Sequence, residues 1–141
     1  MPTSDRPAEI RVAAVADLAW VERVHDGCDA LWTQRPDVPE RDRIMFEAAV
    51  IELATNVVRH ATRADGEPVR AELVLRCADA GLSAELRDTG AAMRVDLDPE
   101  PVDDFAESGR GIRLILRAVD SLSLGREQGQ NVWRITRAWG D

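Results

Sequence analysis

The run Phe46–Ala61, FEAAVIELATNVVRHA, limits what this chain can fold into more than any other stretch. Apolar residues cover most of its helical circumference, so as a helix it has to be largely buried. Glu52 and Asn56 interrupt that surface four positions apart. At about 3.6 residues per turn they stand one above the other on a single face. Burying an unpaired carboxylate and amide is costly, so the pair needs a partner. A nucleotide–metal complex would serve, and so would a neighbouring arginine or a place at the solvent edge of the helix.

The flanking pattern supplies the other elements. Glu9–Ala14 alternates as a short opening strand, and from Ala16 to Trp32 the residues Leu18, Val21, Val24, Cys28 and Leu31 recur at helical spacing. RPDVP at Arg35–Pro39 breaks that helix, and a second runs from about Glu40 to Ala61. After turn chemistry at Arg63–Pro68, Val69, Ala71, Leu73 and Leu75 alternate. A turn at Ala78–Gly81 and renewed alternation at Leu82, Ala84 and Leu86 complete a β-hairpin. Periodicity is lost over residues 91–108, a loop of the length often used as a lid. A helical pattern resumes over Gly111–Asp120, followed by strands at Ser121–Glu127 and Asn131–Trp139 about a turn at Gln128–Gln130. This order predicts an α+β two-layer sandwich, with helices on one face of a mixed, mostly antiparallel sheet.

Length and charge narrow the function. The 141 residues suit one domain spanning residues 1–141. A net charge of −8 argues against a nucleic-acid surface, which selects for basic patches. No apolar run has membrane-spanning length, and the first dozen residues lack the apolar centre of a secretion signal, so a cytoplasmic location is expected. Cys28 and Cys77 have no metal-binding spacing and read as small buried apolar groups. The four tryptophans read as core or interface anchors.

Two further motifs carry chemistry. In LSAELRDTG the two-residue period turns Asp88 toward the face that holds Leu82, Ala84 and Leu86. A carboxylate ending a core-facing row needs a donor. An adenine amino group is one, and Gly90 would let the chain approach the base closely. In ESGRGIRLILRA, Gly109 and Gly111 flank Arg110 where a helix opens, a place whose free N–H groups favour anions. The chain has neither a GxxxxGK[ST] motif nor any lysine, so it is not a P-loop protein.

Taken in order, the E-x-x-x-N helix, the D-x-G strand end, the long loop and G-x-G opening a helix resemble the GHKL (Bergerat-fold) ATP-binding superfamily. ELATNVVRHA and ESGRGI look like the anti-sigma-factor serine kinases of the RsbW type. The resemblance implies ATP and Mg²⁺ as cofactors, with Glu52 as general base and Asn56 as magnesium ligand. It assigns adenine recognition to Asp88 and Gly90, and the phosphate turn to Gly109, Arg110, Gly111 and Ile112. Gln130 stands where the family usually has a threonine supporting the adenine, and the acids of the 91–108 lid are expected to face solvent. The implied partners are a sigma factor and an anti-anti-sigma antagonist, with a homodimer formed through the N-terminal strand and helix. A regulatory module that sequesters a partner without phosphoryl transfer is the other reading.

Overall fold

The computed structural model describes residues 7–97 and 110–140. Its elements run β1 (Ala8–Val15), α1 (Leu18–Gln34), α2 (Glu40–His60), β2 (Arg70–Ala78), β3 (Gly81–Asp88), α3 (Arg110–Ala118), β4 (Ser121–Glu127) and β5 (Gln130–Arg137). The strands form one sheet in the order β1-β2-β3-β5-β4, and every pairing is antiparallel. The three helices pack on one face, giving the α+β two-layer sandwich that the element order predicts.

Local chemistry sets the boundaries. Helix α1 starts at Leu18 rather than Ala16 because the Asp17 carboxylate accepts the Trp20 N–H at 2.9 Å, capping the helix. Gly27 lets α1 lie directly on β1, since a methyl there would stand 3.0 Å from Val12 Cγ2. Helix α2 carries Glu40 and Asp42 in its first turn and Arg59 in its last, each opposing the helix dipole at its end. Phe46, Ala49, Val50, Leu53, Ala54 and Val57 fix its buried stripe.

Strand β3 lies mid-sheet and alternates without a fault: Leu82, Ala84, Leu86 and Asp88 are buried and the residues between them are not. Leu86 stands between Leu73 of β2 and Trp133 of β5. The opposite sheet face is mostly charged around Val74 and Val132, with Arg134 bridging Glu85 and Glu127 at 2.8 Å each. Three indoles are anchored through their N–H groups: Trp20 to Val12 O, Trp32 to Glu47 Oε1 and Trp139 to Ala78 O.

A part-buried ion pair ties the far end of the sandwich together. Arg137 donates to Asp42 Oδ1 from Nε and Nη2, at 3.0 and 2.8 Å, and from Nη1 to Ala118 O at 2.8 Å. The start of α2, the end of α3 and the end of β5 thus meet on one guanidinium. Both cysteines are free and buried, and desolvation pushes both thiols up, which leaves them protonated packing groups. No helix among the described residues is long and apolar enough to cross a membrane.

Candidate functional site

The site has two ends, one on β3 and one between α2 and α3. At the β3 end Asp88 is fully buried. Its Oδ1 accepts from the Gly90 N–H and from Asn131 Nδ2, both at 2.9 Å. Its Oδ2 is buried with no hydrogen-bond partner among the described residues. A buried acceptor left unmet costs about 1–3 kcal/mol, more when charged, so Oδ2 calls for a donor that the described residues do not supply. Gly90 fits because a Cβ there would stand 2.9 Å from Asp88 Oδ1 and 3.1 Å from Ala61 Cβ. The chain then leaves the sheet through Ala91, whose N–H donates to Thr62 O at 2.6 Å.

At the helical end Glu52 and Asn56 are half-buried on one face of α2, and neither side chain is hydrogen-bonded among the described residues. Gly111, in the first turn of α3, faces them. A methyl on it would run into Glu52 Oε1 and come within 3.2 Å of Glu52 Cδ and 3.3 Å of Asn56 Nδ2. Arg110 is exposed at the head of α3, and Ile112 is buried beneath it. Gly109 and the acids Asp98, Glu100, Asp103, Asp104 and Glu107 lie outside the described residues.

Two cavities flank these ends. One of about 340 Å³ is lined by Met93, Val95, Leu97, Leu124, Arg126 and Asn131. The other, about 560 Å³, is lined by Glu52 with Trp32, Arg43, Ile44, Ile51 and Leu114. Asp88 lines neither, although Asn131, which bonds it, lines the smaller.

The sequence reading overlooked Asn131 and Arg126. Asn131 pairs directly across from Asp88 and shares its face, whereas Gln130 is one place along, paired with Glu127. Successive residues of a strand point to opposite faces, so Gln130 projects away from the carboxylate. Arg126 sits across the β4–β5 hairpin and donates to Asn131 Oδ1 at 3.0 Å and to Gly90 O at 2.9 Å. The Gln128–Gly129 turn between two alternating runs could have placed Arg126 beside Asn131. Nothing local reveals the β3–β5 register.

Three helices on a five-stranded antiparallel sheet, with an unmet carboxylate at the central strand's end and a glycine-walled cleft between two helices, define an α+β domain built to take a ligand. The family profile described as "Histidine kinase-like ATPase domain" matches residues 14–137, and the chain belongs to that family. It is a GHKL-type ATP-binding domain related to histidine kinases. Among solved structures it is similar to the histidine kinase domain of a blue-light-activated histidine kinase from Erythrobacter litoralis. The likeness has a TM-score of 0.55 at 19% identity over 84% of this chain. The chain spans 63% of that structure's length, and at this identity the likeness speaks for the fold alone. No curated protein matches the chain.

The residues present fit the family's ligand. Adenine carries the amino donor that Asp88 Oδ2 lacks, and the missing side chain at Gly111 lets the head of α3 lie directly against Glu52 and Asn56. No cluster of three or more His, Cys, Asp or Glu side chains suited to a metal exists among the described residues. Asn56 could contribute one oxygen to a Mg²⁺ whose remaining ligands come from phosphates and water, the ion's usual arrangement in nucleotide sites.

Proposed function

We propose that this chain is an ATP-dependent serine protein kinase and anti-sigma factor of the RsbW type. It phosphorylates a small anti-anti-sigma antagonist and sequesters a sigma factor. The observation that carries this reading is Glu52, a half-buried carboxylate facing Gly111 with no hydrogen bond among the described residues. A domain that only holds nucleotide has no use for a free base at that place. Glu52 also lines the larger cavity, where exposed Ile44 and Leu114 offer an acceptor segment apolar footing.

In the reaction the seryl oxygen bonds to the γ-phosphorus while its proton passes to Glu52. The bond from that phosphorus to the bridging oxygen breaks, leaving ADP. Mg²⁺ held through Asn56 would supply charge neutralisation at the phosphates. Arg110, first in α3 and exposed, adds a cation beside them. The protein acts in the cytoplasm as a homodimer. Strand β1 stands at the sheet edge, with β2 as its one neighbour among the described residues, an edge that a second copy would cover.

The test is labelling with radioactive ATP of the antagonist recovered by pull-down from the source cell. Glu52→Gln should lower labelling by about 10²–10⁴-fold, with Mg·ATP and sigma-factor binding retained. The label should be acid-stable, as a serine phosphate is; an acid-labile label would indicate a histidine acceptor. Undiminished labelling removes Glu52 as the base. A wild type that binds ATP and its partners yet never labels them favours sequestration without phosphoryl transfer.

A further inference from the structure

Arg126 and Asn131 form a chain of contacts behind Asp88 that neither phosphoryl transfer nor partner binding accounts for. Arg126 Nη1 donates to Asn131 Oδ1 at 3.0 Å and to Gly90 O at 2.9 Å, and its Nη2 donates to Gly129 O at 3.0 Å. A guanidinium offers donors and nothing else, so the Asn131 atom facing it has to be the amide oxygen. The amide nitrogen then faces three acceptors: Asp88 Oδ1 at 2.9 Å, Ala91 O at 2.9 Å and Gly90 O at 3.4 Å. The opposite orientation would set N–H against N–H on one side and oxygen against three oxygens on the other. Arg126 therefore fixes the amide of Asn131. That amide and the Gly90 N–H together occupy Oδ1, and Oδ2 is the acceptor left over.

We propose that Arg126 and Asn131 are positioning residues that set the base preference of the site. By filling Oδ1 they present Asp88 as a carboxylate with one open oxygen, aimed to accept from an exocyclic amino group. A purine with an amino group at position 6 meets that oxygen with a donor. A purine with a carbonyl there brings oxygen against oxygen, and a buried site built for a hydrogen bond rejects such a mismatch strongly. Without the pair the Gly90 N–H alone holds Oδ1, the carboxylate is less firmly aimed, and the contrast between the two bases shrinks. The proposal rests on the ATP-binding reading of the site and adds to it the residues that give the reading its selectivity.

The experiment measures Kd for Mg·ATP and Mg·GTP by calorimetry on the wild type and on Asn131→Leu, Arg126→Met and Arg126→Lys. The wild type should prefer ATP. Asn131→Leu and Arg126→Met should each lower the GTP-to-ATP Kd ratio by about tenfold, the scale of one charged hydrogen bond. Arg126→Lys keeps a cationic donor and should hold the ratio within about threefold of the wild type. Arg126 is exposed, so its variants carry the test even where Asn131→Leu fails to give a cooperative melting transition. An unchanged ratio in the folded variants overturns the proposal, as does equal weakening of both nucleotides, which is what a merely structural role produces. A wild type that binds ATP and GTP alike overturns it while sparing the ATP-binding reading, and one that binds neither overturns both.

Discussion

Replacing Gly111 with alanine separates how the α2–α3 cleft packs from what it holds. Gly111 is not among the positive-φ residues of the described part, which are Gly66, Gln128, Gly129 and Gly140, so a side chain meets no backbone strain there. Inside a helix, alanine is favoured over glycine by about 0.5–1 kcal/mol. Against that, the methyl would run into Glu52 Oε1 and stand 3.2 Å from Glu52 Cδ and 3.3 Å from Asn56 Nδ2. The obstructing atoms end a flexible, half-buried side chain, and turning it off its preferred rotamer costs about 0.5–1.5 kcal/mol. The two effects offset to within about 1 kcal/mol, so the melting temperature should stay within about 4 °C of the wild type. Mg·ATP affinity should instead fall about tenfold or more, because the methyl and the displaced carboxylate now occupy the cleft. Scanning calorimetry reads the first quantity and titration calorimetry the second. Wild-type affinity in a folded Gly111→Ala protein would show that phosphates do not lie in this cleft. A fall in melting temperature of roughly 10 °C would show that the packing argument is wrong.

Asp88→Asn should weaken ATP and ADP by a similar factor of about tenfold or more in a calorimetric titration, since both share the base. A loss confined to ATP would move Asp88 to the phosphate end. Asp42→Ala should destabilise the fold by about 1–3 kcal/mol in urea denaturation, because it leaves the part-buried Arg137 without its carboxylate. Arg137→Met in the same chain should recover part of that loss, and strictly additive costs would refute the coupling.

The parts of the site that local period could reach were readable from the residues. Helix α2 is so apolar that Glu52 and Asn56 stand out on it, and the period of two in β3 turns Asp88 inward with Leu86. What escaped depends on contacts between distant segments. Asn131 is 43 positions from Asp88, and only the β3–β5 register brings them opposite. With no register to use, position after a glycine selects Gln130, its neighbour on the opposite strand face. Strand β5 ends at Arg137 rather than Trp139 for a similar reason. The Ala138 N–H donates to Asp120 Oδ2 at 2.6 Å, and Trp139 turns away to lie under the Arg35 guanidinium. Neither contact leaves a trace in the alternation of the strand.

The location of Asp88 on the central strand, and of Gly111 on a short helix, has a consequence for how the domain opens. Amides of a strand hydrogen-bonded on both sides exchange with solvent only when the whole fold comes apart. Helix α3 has nine residues, of which Ile112, Ile115 and Ala118 are buried. An isolated helix shorter than about 12–15 residues is marginal in water, so α3 persists through its packing on α2 and detaches early. A ligand gripping both Asp88 and the head of α3 fastens the most loosely held element to the most firmly held one. At a hundredfold excess over Kd such a ligand adds about 2.7 kcal/mol to the assembled state. That increment registers as slowed exchange along α3, while β3, already at the global limit, slows only as far as the whole fold does. The exposed side chains of α3, Leu114 and Leu116, ride on that element and are steadied with it.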